Sequence, residues 1–259
     1  MDIKELDVNI KKNLHNNHPW EYARAKVVMH LLKRHLFEKG KTDSVIDIGC
    51  GDIFFLDQFC KKHTVTTAVA VDTAFDDALI SQMRLKNQDI VFVDDVSKVD
   101  LQGKKVDVVF LMDVLEHIEK DAEFLKSIAS SDFVGPDTIF MITVPAYNGL
   151  FSSHDKFVGH YRRYTQKMLQ KTIVAAGLQK LDNGYFFTTL IVARAIQKML
   201  EKIKGAPLTE PKGAGGWNGG AFVSKVYELF LLCDFYFFRL FRWIGIRMPG
   251  LSAYTICKL

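Results

Sequence analysis

The stretch Ser44-Val45-Ile46-Asp47-Ile48-Gly49-Cys50-Gly51-Asp52 decides how the rest of the chain is read. Ser44–Ile48 is short, rich in Val and Ile, and does not alternate cleanly with polar residues, which is how a strand buried on both faces of a parallel sheet reads. Gly49 and Gly51 let the backbone turn tightly and approach a ligand where a Cβ would clash. A helix starting at about Ile53 would point its first backbone N–H groups at that ligand.

Working outward, four more apolar runs follow at helix-length spacing: Ala68–Val71, Ile90–Val93, Val106–Met112 and Ile139–Val144. This alternation predicts right-handed βαβ units in a doubly wound α/β sheet. Upstream, residues 20–38 have helical period, with Ala25, Val28, Leu31, Leu32 and Leu36 on one stripe and Lys26, Lys33 and Arg34 turned away. Downstream, Thr165–Ala176 reads as a helix with Thr165 as N-cap and Gly177 as its stop. Leu178–Phe187 reads as a sixth strand and the terminal LSAYTICKL as a closing one. Between them, residues 205–220 hold six of the 17 glycines and two of the six prolines, and so predict a long loop. Residues 222–243 are aromatic and of helical length.

With 259 residues, 48% hydrophobic and 25% charged, the composition is that of a folded chain. The net charge of +4 is too mild to argue for nucleic acid. Its distribution is uneven: +3 over residues 1–43, −5 over 44–193 and +6 over 194–259. The basic end fits a solvated face or an anionic partner such as a phosphate-bearing acceptor or a membrane surface. Cys50, Cys60, Cys233 and Cys257 show neither a CxxC pair nor metal-ligand spacing, so no metal and a reducing, cytoplasmic compartment are expected. The polar N-terminus does not read as a signal peptide, and no run of about 18 uncharged apolar residues suggests a membrane-spanning helix.

Two cofactor classes use a strand–glycine turn–helix. Asp72 ends the second strand, 21 positions past Gly51, where a carboxylate can accept from two ribose hydroxyls. A dinucleotide site needs G-x-G-x-x-G, and here the third glycine position is Phe54. Asp47, two residues before the first glycine, suits a ligand with a cationic amino-acid end better than one with phosphates. That ligand is S-adenosylmethionine.

On these residues the chain resembles class I S-adenosylmethionine-dependent methyltransferases of the ubiquinone-biosynthesis-like, small-molecule group. VIDIGCGD matches the first motif, AVAVD the second, VFVDDV resembles the third, and Leu111–Ile118 (LMDVLEHI) the segment after the fourth strand. The resemblance covers about residues 20–195 and the final strand. It implies a Rossmann-like seven-stranded sheet whose last strand is antiparallel. It also implies cofactor contacts from Asp47, Gly49, Cys50, Gly51, Asp72 and Thr73. Asp95, or its neighbour Asp94, would meet the adenine amino group and Val96 would pack on the ring. Met112, Asp113 and Val114 would line the methionine end, with Arg24 pairing the methionine carboxylate and His117 near the methyl acceptor. Ile53 departs from the family, which often has a further glycine there, and is expected to narrow the turn slightly.

A second polar cluster follows the fifth strand: Tyr147, then Ser152–Asp155, then His160–Tyr164. It reads either as an ordinary polar loop or as the acceptor side of the site. In the second reading His154 or His160 is a general base, Arg162 and Arg163 clamp a carboxylate or phosphate, and Tyr147, Asp155 and Tyr161 touch the acceptor. Asp234, among Phe230, Phe237 and Phe241, reads either as a paired core carboxylate or as an acceptor contact.

The expected organisation is a cofactor-binding core (residues 1–195), a helical, aromatic cap inserted before the last strand (196–249) and the closing strand (250–259). The expected activity is methyl transfer to an oxygen or nitrogen of a small-molecule or lipid-like, partly apolar acceptor, yielding S-adenosylhomocysteine, with peripheral membrane contact through the cap. A nucleic-acid methyltransferase is the first alternative, disfavoured by Met112-Asp113-Val114-Leu115 standing where a DPPY-like tetrapeptide would be. A non-catalytic cofactor-binding protein is the second.

Overall fold

A computed structural model describes residues 18–39, 42–84, 87, 89–204, 217 and 219–259. The glycine-rich loop expected at 205–220 lies outside these residues except at Trp217, Gly219 and Gly220. Seven strands, β1 (Ser44–Ile48), β2 (Thr67–Val71), β3 (Ile90–Val93), β4 (Val108–Met112), β5 (Ile139–Pro145), β6 (Gln179–Phe186) and β7 (Ser252–Lys258), form one sheet in the order β3-β2-β1-β4-β5-β7-β6. The first five are parallel, and β7 runs antiparallel to both β5 and β6.

Eight helices are described: α1 (Pro19–Lys39), α2 (Phe54–Lys62), α3 (Asp77–Arg84), α4 (Asp121–Ala129), α5 (Ser153–Val158), α6 (Gln166–Ala175), α7 (Thr188–Lys204) and α8 (Ala221–Leu240). Successive strand residues serve opposite faces. Val45, Ala68, Val108 and Phe110 join a core with α1 and α2, while Ile46, Val69, Val109 and Leu111 join one with α4 and α6. Burial on both faces is why the strands read as unbroken apolar runs. Thr165 caps α6 as expected, accepting from the Met168 N–H at 3.3 Å, and Gly177 ends it at φ +83°.

The last two helices arrange themselves differently from the sequence expectation. α7 is a full helix, so the boundary expected at 195/196 falls inside it. Its amino end is capped from a distance: Asp234, on α8, accepts from the backbone N–H groups of Thr188 at 2.9 Å and Thr189 at 2.8 Å. Both carboxylate oxygens are thereby used at a helix N-terminus, where negative charge is favoured. This corrects the assignment of Asp234 to the acceptor: the buried carboxylate among phenylalanines is a cap. α8 itself packs on α1, with Glu228 paired to Lys26 and the Phe235 ring edge-on to His30. No described helix is long and apolar enough to cross a membrane.

Candidate active site

Gly49, Asp72, Asp95 and Asp113 follow the ends of β1, β2, β3 and β4, and so stand along one carboxyl edge of the sheet. Ligands bind at this edge where strand order reverses, here between β1 and β4. Gly49 has φ +71°, and a Cβ there would lie 2.6 Å from Val114 Cγ2. The Gly51 N–H donates to Asp72 Oδ2 at 2.9 Å and the Ala74 N–H to Oδ1 at 3.1 Å, so one carboxylate ties the glycine turn to the loop after β2. Ile53 takes φ +57°, the left-handed conformation a glycine would adopt freely. The departure at this position therefore leaves a strained β-branched residue, held by its burial, at the mouth of α2.

A cavity of about 1660 Å³ opens over this edge. That exceeds the roughly 300–1000 Å³ of a pocket for one drug-sized ligand. At one end it is lined by Gly49, Asp72, Thr73, Asp95, Val96, Met112, Asp113 and Val114; at the other by Glu116, His117, His154, His160, Arg163 and Arg194; Trp20, Glu21 and Arg24 of α1 border it. Arg24 forms an ion pair with Asp113, and its guanidinium stands 4.6 Å from the Trp20 ring centroid. Asp113 is at φ +60°, and its Oδ1 accepts from Thr143 Oγ1 at 3.0 Å. Asp95 caps the turn Val96–Lys98, accepting from the Ser97 N–H at 2.7 Å. Asp94 instead pairs with Lys98 at 2.6 Å and does not line the cavity. Cys50 and Gly51 also lie off the wall.

Asp47 is buried beneath the turn, and its Oδ1 has no hydrogen-bond partner among the described residues. Burial pushes its carboxyl up to about 7, against the pull of Arg24. The folded state then keeps a proton that the unfolded chain releases, so stability falls as pH rises from the ordinary carboxylate range through about 7. Asp47→Asn should flatten that dependence. At pH 8 it should raise stability by a few kcal/mol, since a proton held only by the folded chain changes stability by about 1.4 kcal/mol for each pH step of one. Urea melts across this pH range provide the check.

At the other end the hub is Asp155, fully buried on α5. It accepts from the Ser152 N–H at 2.9 Å and from Arg163 Nε at 2.8 Å, lies 2.9 Å from His160 Nδ1, and receives Arg194 Nη2 at 3.2 Å. Burial opposes its ionisation, but the His160 hydrogen bond and the Arg163 charge outweigh it and hold the carboxyl well below its usual range. With Nδ1 engaged, His160 turns Nε2 toward Glu116 Oε1, 4.0 Å away, and its ring lies edge-on to His117 at 4.6 Å. Glu116 is fully buried and neither oxygen has a hydrogen-bond partner among the described residues. Burial and then the Asp113 charge push its carboxyl well above the ordinary value. Burial, then Arg194, lowers His154 and favours its neutral form.

Glu116, His117 and His160 bring one ligand atom each within 4.8 Å of one another, a donor set of the kind that holds a divalent cation. Sequence reasoning expects no metal and reads Glu116 as a capping residue; its burial is a tertiary fact without a local signal. Arg194 and Trp20 likewise reach the site without a motif to announce them.

Besides Asp234, four acceptor candidates do not line the cavity. Asp155, expected to touch the acceptor, is fully buried and taken up by His160, Arg163 and Arg194, so it positions the site instead of contacting a ligand. Tyr147 stacks on Tyr185 at 5.1 Å. Arg162 pairs with Asp121 at 3.3 Å and donates to the Glu119 carbonyl at 2.6 Å. Tyr161 is exposed, 5.9 Å from the Arg162 guanidinium. Asp121 on α4 draws Arg162 away, while Asp155 draws Arg163 in, so adjacent arginines serve opposite sides.

The sheet order, the antiparallel last strand and the glycine turn define a class I, Rossmann-like methyltransferase fold. The chain belongs to the family described as a methyltransferase domain, whose model matches residues 20–202. Its cofactor is S-adenosyl-L-methionine. No curated protein matches the sequence. Among solved structures, a putative sarcosine dimethylglycine methyltransferase from Galdieria sulphuraria is similar with a TM-score of 0.56 at 11% identity, over 91% of this chain and 84% of that one. The [4+2]-cyclase SpnF is similar with a TM-score of 0.55 at 14% identity, over 95% and 87%. Coclaurine N-methyltransferase bound to N-methylheliamine and S-adenosylhomocysteine has a TM-score of 0.51 at 12% identity, over 90% and 71%. Identities this low show the shared fold alone.

Proposed function

We propose that this protein transfers a methyl group to an oxygen or nitrogen of a small, partly apolar acceptor, as do the ubiquinone-biosynthesis-like methyltransferases its motifs resemble. The observation that carries the reading is the single cavity running from the glycine turn to the Asp155–His160 pair. A [4+2]-cyclase has the same fold, so the fold by itself does not dictate methyl transfer, and the residues of the site must. A coclaurine N-methyltransferase holding N-methylheliamine supports a small-molecule acceptor.

The residues fit the cofactor. Gly49 leaves room for the Val114 side chain at the cavity wall, where a Cβ would stand 2.6 Å from Val114 Cγ2, and Asp72 and Asp95 border the cavity. When bound, S-adenosylmethionine supplies an electrophilic methyl on a sulfonium. The chain's part is then to orient, align and exclude water. Asp72 accepts from the ribose hydroxyls, Asp95 from the adenine amino group, and Val96 packs on the ring. Arg24, braced by Trp20, faces the amino-acid end together with Asp113 and the buried Asp47. His160, held by Asp155, takes the acceptor proton at Nε2. His117 and the neutral His154 border the acceptor, and Arg163 and Arg194 give it a positive wall. α7 and α8 form the cap, which suits a lipid-like acceptor and a membrane-peripheral working place.

His160→Ala should lower methyl transfer from a labelled donor to extract components by about 10²–10⁴-fold. Affinity for S-adenosylhomocysteine, read by calorimetry, should stay within about twofold, since the imidazole acts on the acceptor. A matching loss of cofactor affinity would move the cluster into the cofactor pocket, and no change in either would make it an ordinary loop. The donor set Glu116, His117 and His160 favours a second reading in which a divalent cation holds the acceptor oxygen. Loss of activity on dialysis against EDTA, restored by Mg²⁺ or Zn²⁺, would select it.

A further inference from the structure

α7 is amphipathic in the reverse of the usual sense. Its polar side chains turn toward the protein: Arg194 to Asp155, Glu201 accepting from Ser153 Oγ at 3.1 Å, and Lys198 donating to the Gly149 carbonyl at 2.6 Å. Val192, Ile196, Met199 and Ile203, spaced i, i+4, i+7, i+11, form a single stripe, and they are between 54% and 68% exposed. No residue of α7 is buried. A helix docked on a core turns its apolar stripe inward. The neighbouring α8 carries a second outward stripe from Phe222 through Val226, Leu229 and Phe237 to Leu240, and the turn after it exposes Trp243 by 85%. Apolar exposure on this scale marks an interaction surface.

The charges select the partner. All three acidic side chains of α7 and α8 are engaged on the protein side: Glu201 with Ser153, Glu228 buried against Lys26, and Asp234 capping α7. Lys202, Lys204 and Arg247 remain exposed. A face that is apolar, edged with Trp and Phe, and basic where it is charged matches the interface of an anionic bilayer. A self-complementary dimer patch would need acidic groups to meet its own cations, and the described part of this face offers none outward.

We infer that the outward face of α7 and α8 rests on an anionic lipid bilayer, with the apolar stripes at the acyl boundary and Lys202, Lys204 and Arg247 against lipid phosphates. Docking places the inner, polar side of α7, and with it Arg194 at the cavity wall, one helix thickness from the membrane. The link to a lipid-like acceptor rests on the proposed function; the docking itself does not. Flotation of the full chain with phosphatidylcholine vesicles, with and without phosphatidylglycerol, tests it. The protein should bind the vesicles that contain phosphatidylglycerol. Replacing Val192, Ile196, Met199 and Ile203 together by Ser should weaken that binding by at least about a hundredfold. Replacing Lys202, Lys204 and Arg247 by Gln should weaken it on the order of a hundredfold at low salt, about fivefold for each charge. Because these side chains are exposed, thermal melts and S-adenosylhomocysteine affinity should be unchanged in both variants. Wild-type protein that ignores both vesicles, or variants that bind as before, would overturn the inference while leaving methyl transfer intact. So would a concentration-dependent dimer abolished by the Ser variant, which would assign the face to a second copy.

Discussion

Replacing Asp155 by Ala should lower stability by about 3–5 kcal/mol, the cost of breaking a buried ion pair by removing one partner. Arg163 and His160 converge on this fully buried carboxylate, with Arg194 and the Ser152 N–H as further donors. The variant leaves the buried Arg163 guanidinium uncompensated and frees the His160 ring. Asp155→Asn keeps one acceptor oxygen but loses the charge, so its loss should be smaller. The sign with pH follows from the depressed carboxyl. Its contribution is present above the ordinary carboxylate range and fades as pH falls through the folded value, so the deficit of the Ala variant should shrink in acid. Urea unfolding at neutral and acidic pH reads both. A deficit below about 1 kcal/mol at neutral pH would mean that the cluster is solvated and weak, as exposed pairs are.

Much of the core is legible in the sequence because its physics is local. Strands buried on both faces leave apolar runs, and the turn after β1 needs glycines at fixed places, so the edge holding Gly49, Asp72, Asp95 and Asp113 can be placed from residues alone. What the sequence hides depends on contacts between distant segments. α7 has a clear apolar period, but the acidic cap at its start is Asp234, which lies 45 and 46 residues from the two N–H groups it accepts. Without the helix, Asp234 reads either as a carboxylate paired to a basic residue in the core or as an acceptor contact, and neither reading names the N–H groups it caps. Arg162 and Arg163 are adjacent and chemically alike. Only the packing of α4 and α5 decides that one meets Asp121 and the other Asp155. Glu116 follows β4 in a short 3-10 turn, where a surface cap is the ordinary expectation. Its complete burial against His160 comes from the loop after α5 folding back, with the Tyr161 N–H donating to the Glu116 carbonyl at 2.8 Å.

The second large effect concerns Asp72. Its carboxylate borders the cavity and holds the glycine turn through Gly51, so removing it takes away both the proposed ribose acceptor and the brace of the turn. Loss of a charged hydrogen-bond partner costs about 1.5–3 kcal/mol, or roughly 10- to 150-fold in affinity. Asp72→Asn, which keeps one acceptor oxygen, should fall in between. The most direct measurement is a calorimetric titration of the wild-type chain and of Asp72→Ala with S-adenosylhomocysteine, each first shown by its melting curve to be folded. The account predicts binding by the wild type and a loss of at least about tenfold in the variant. Equal affinity in the two folded proteins would contradict the placement of the cofactor at the carboxyl edge between β1 and β4.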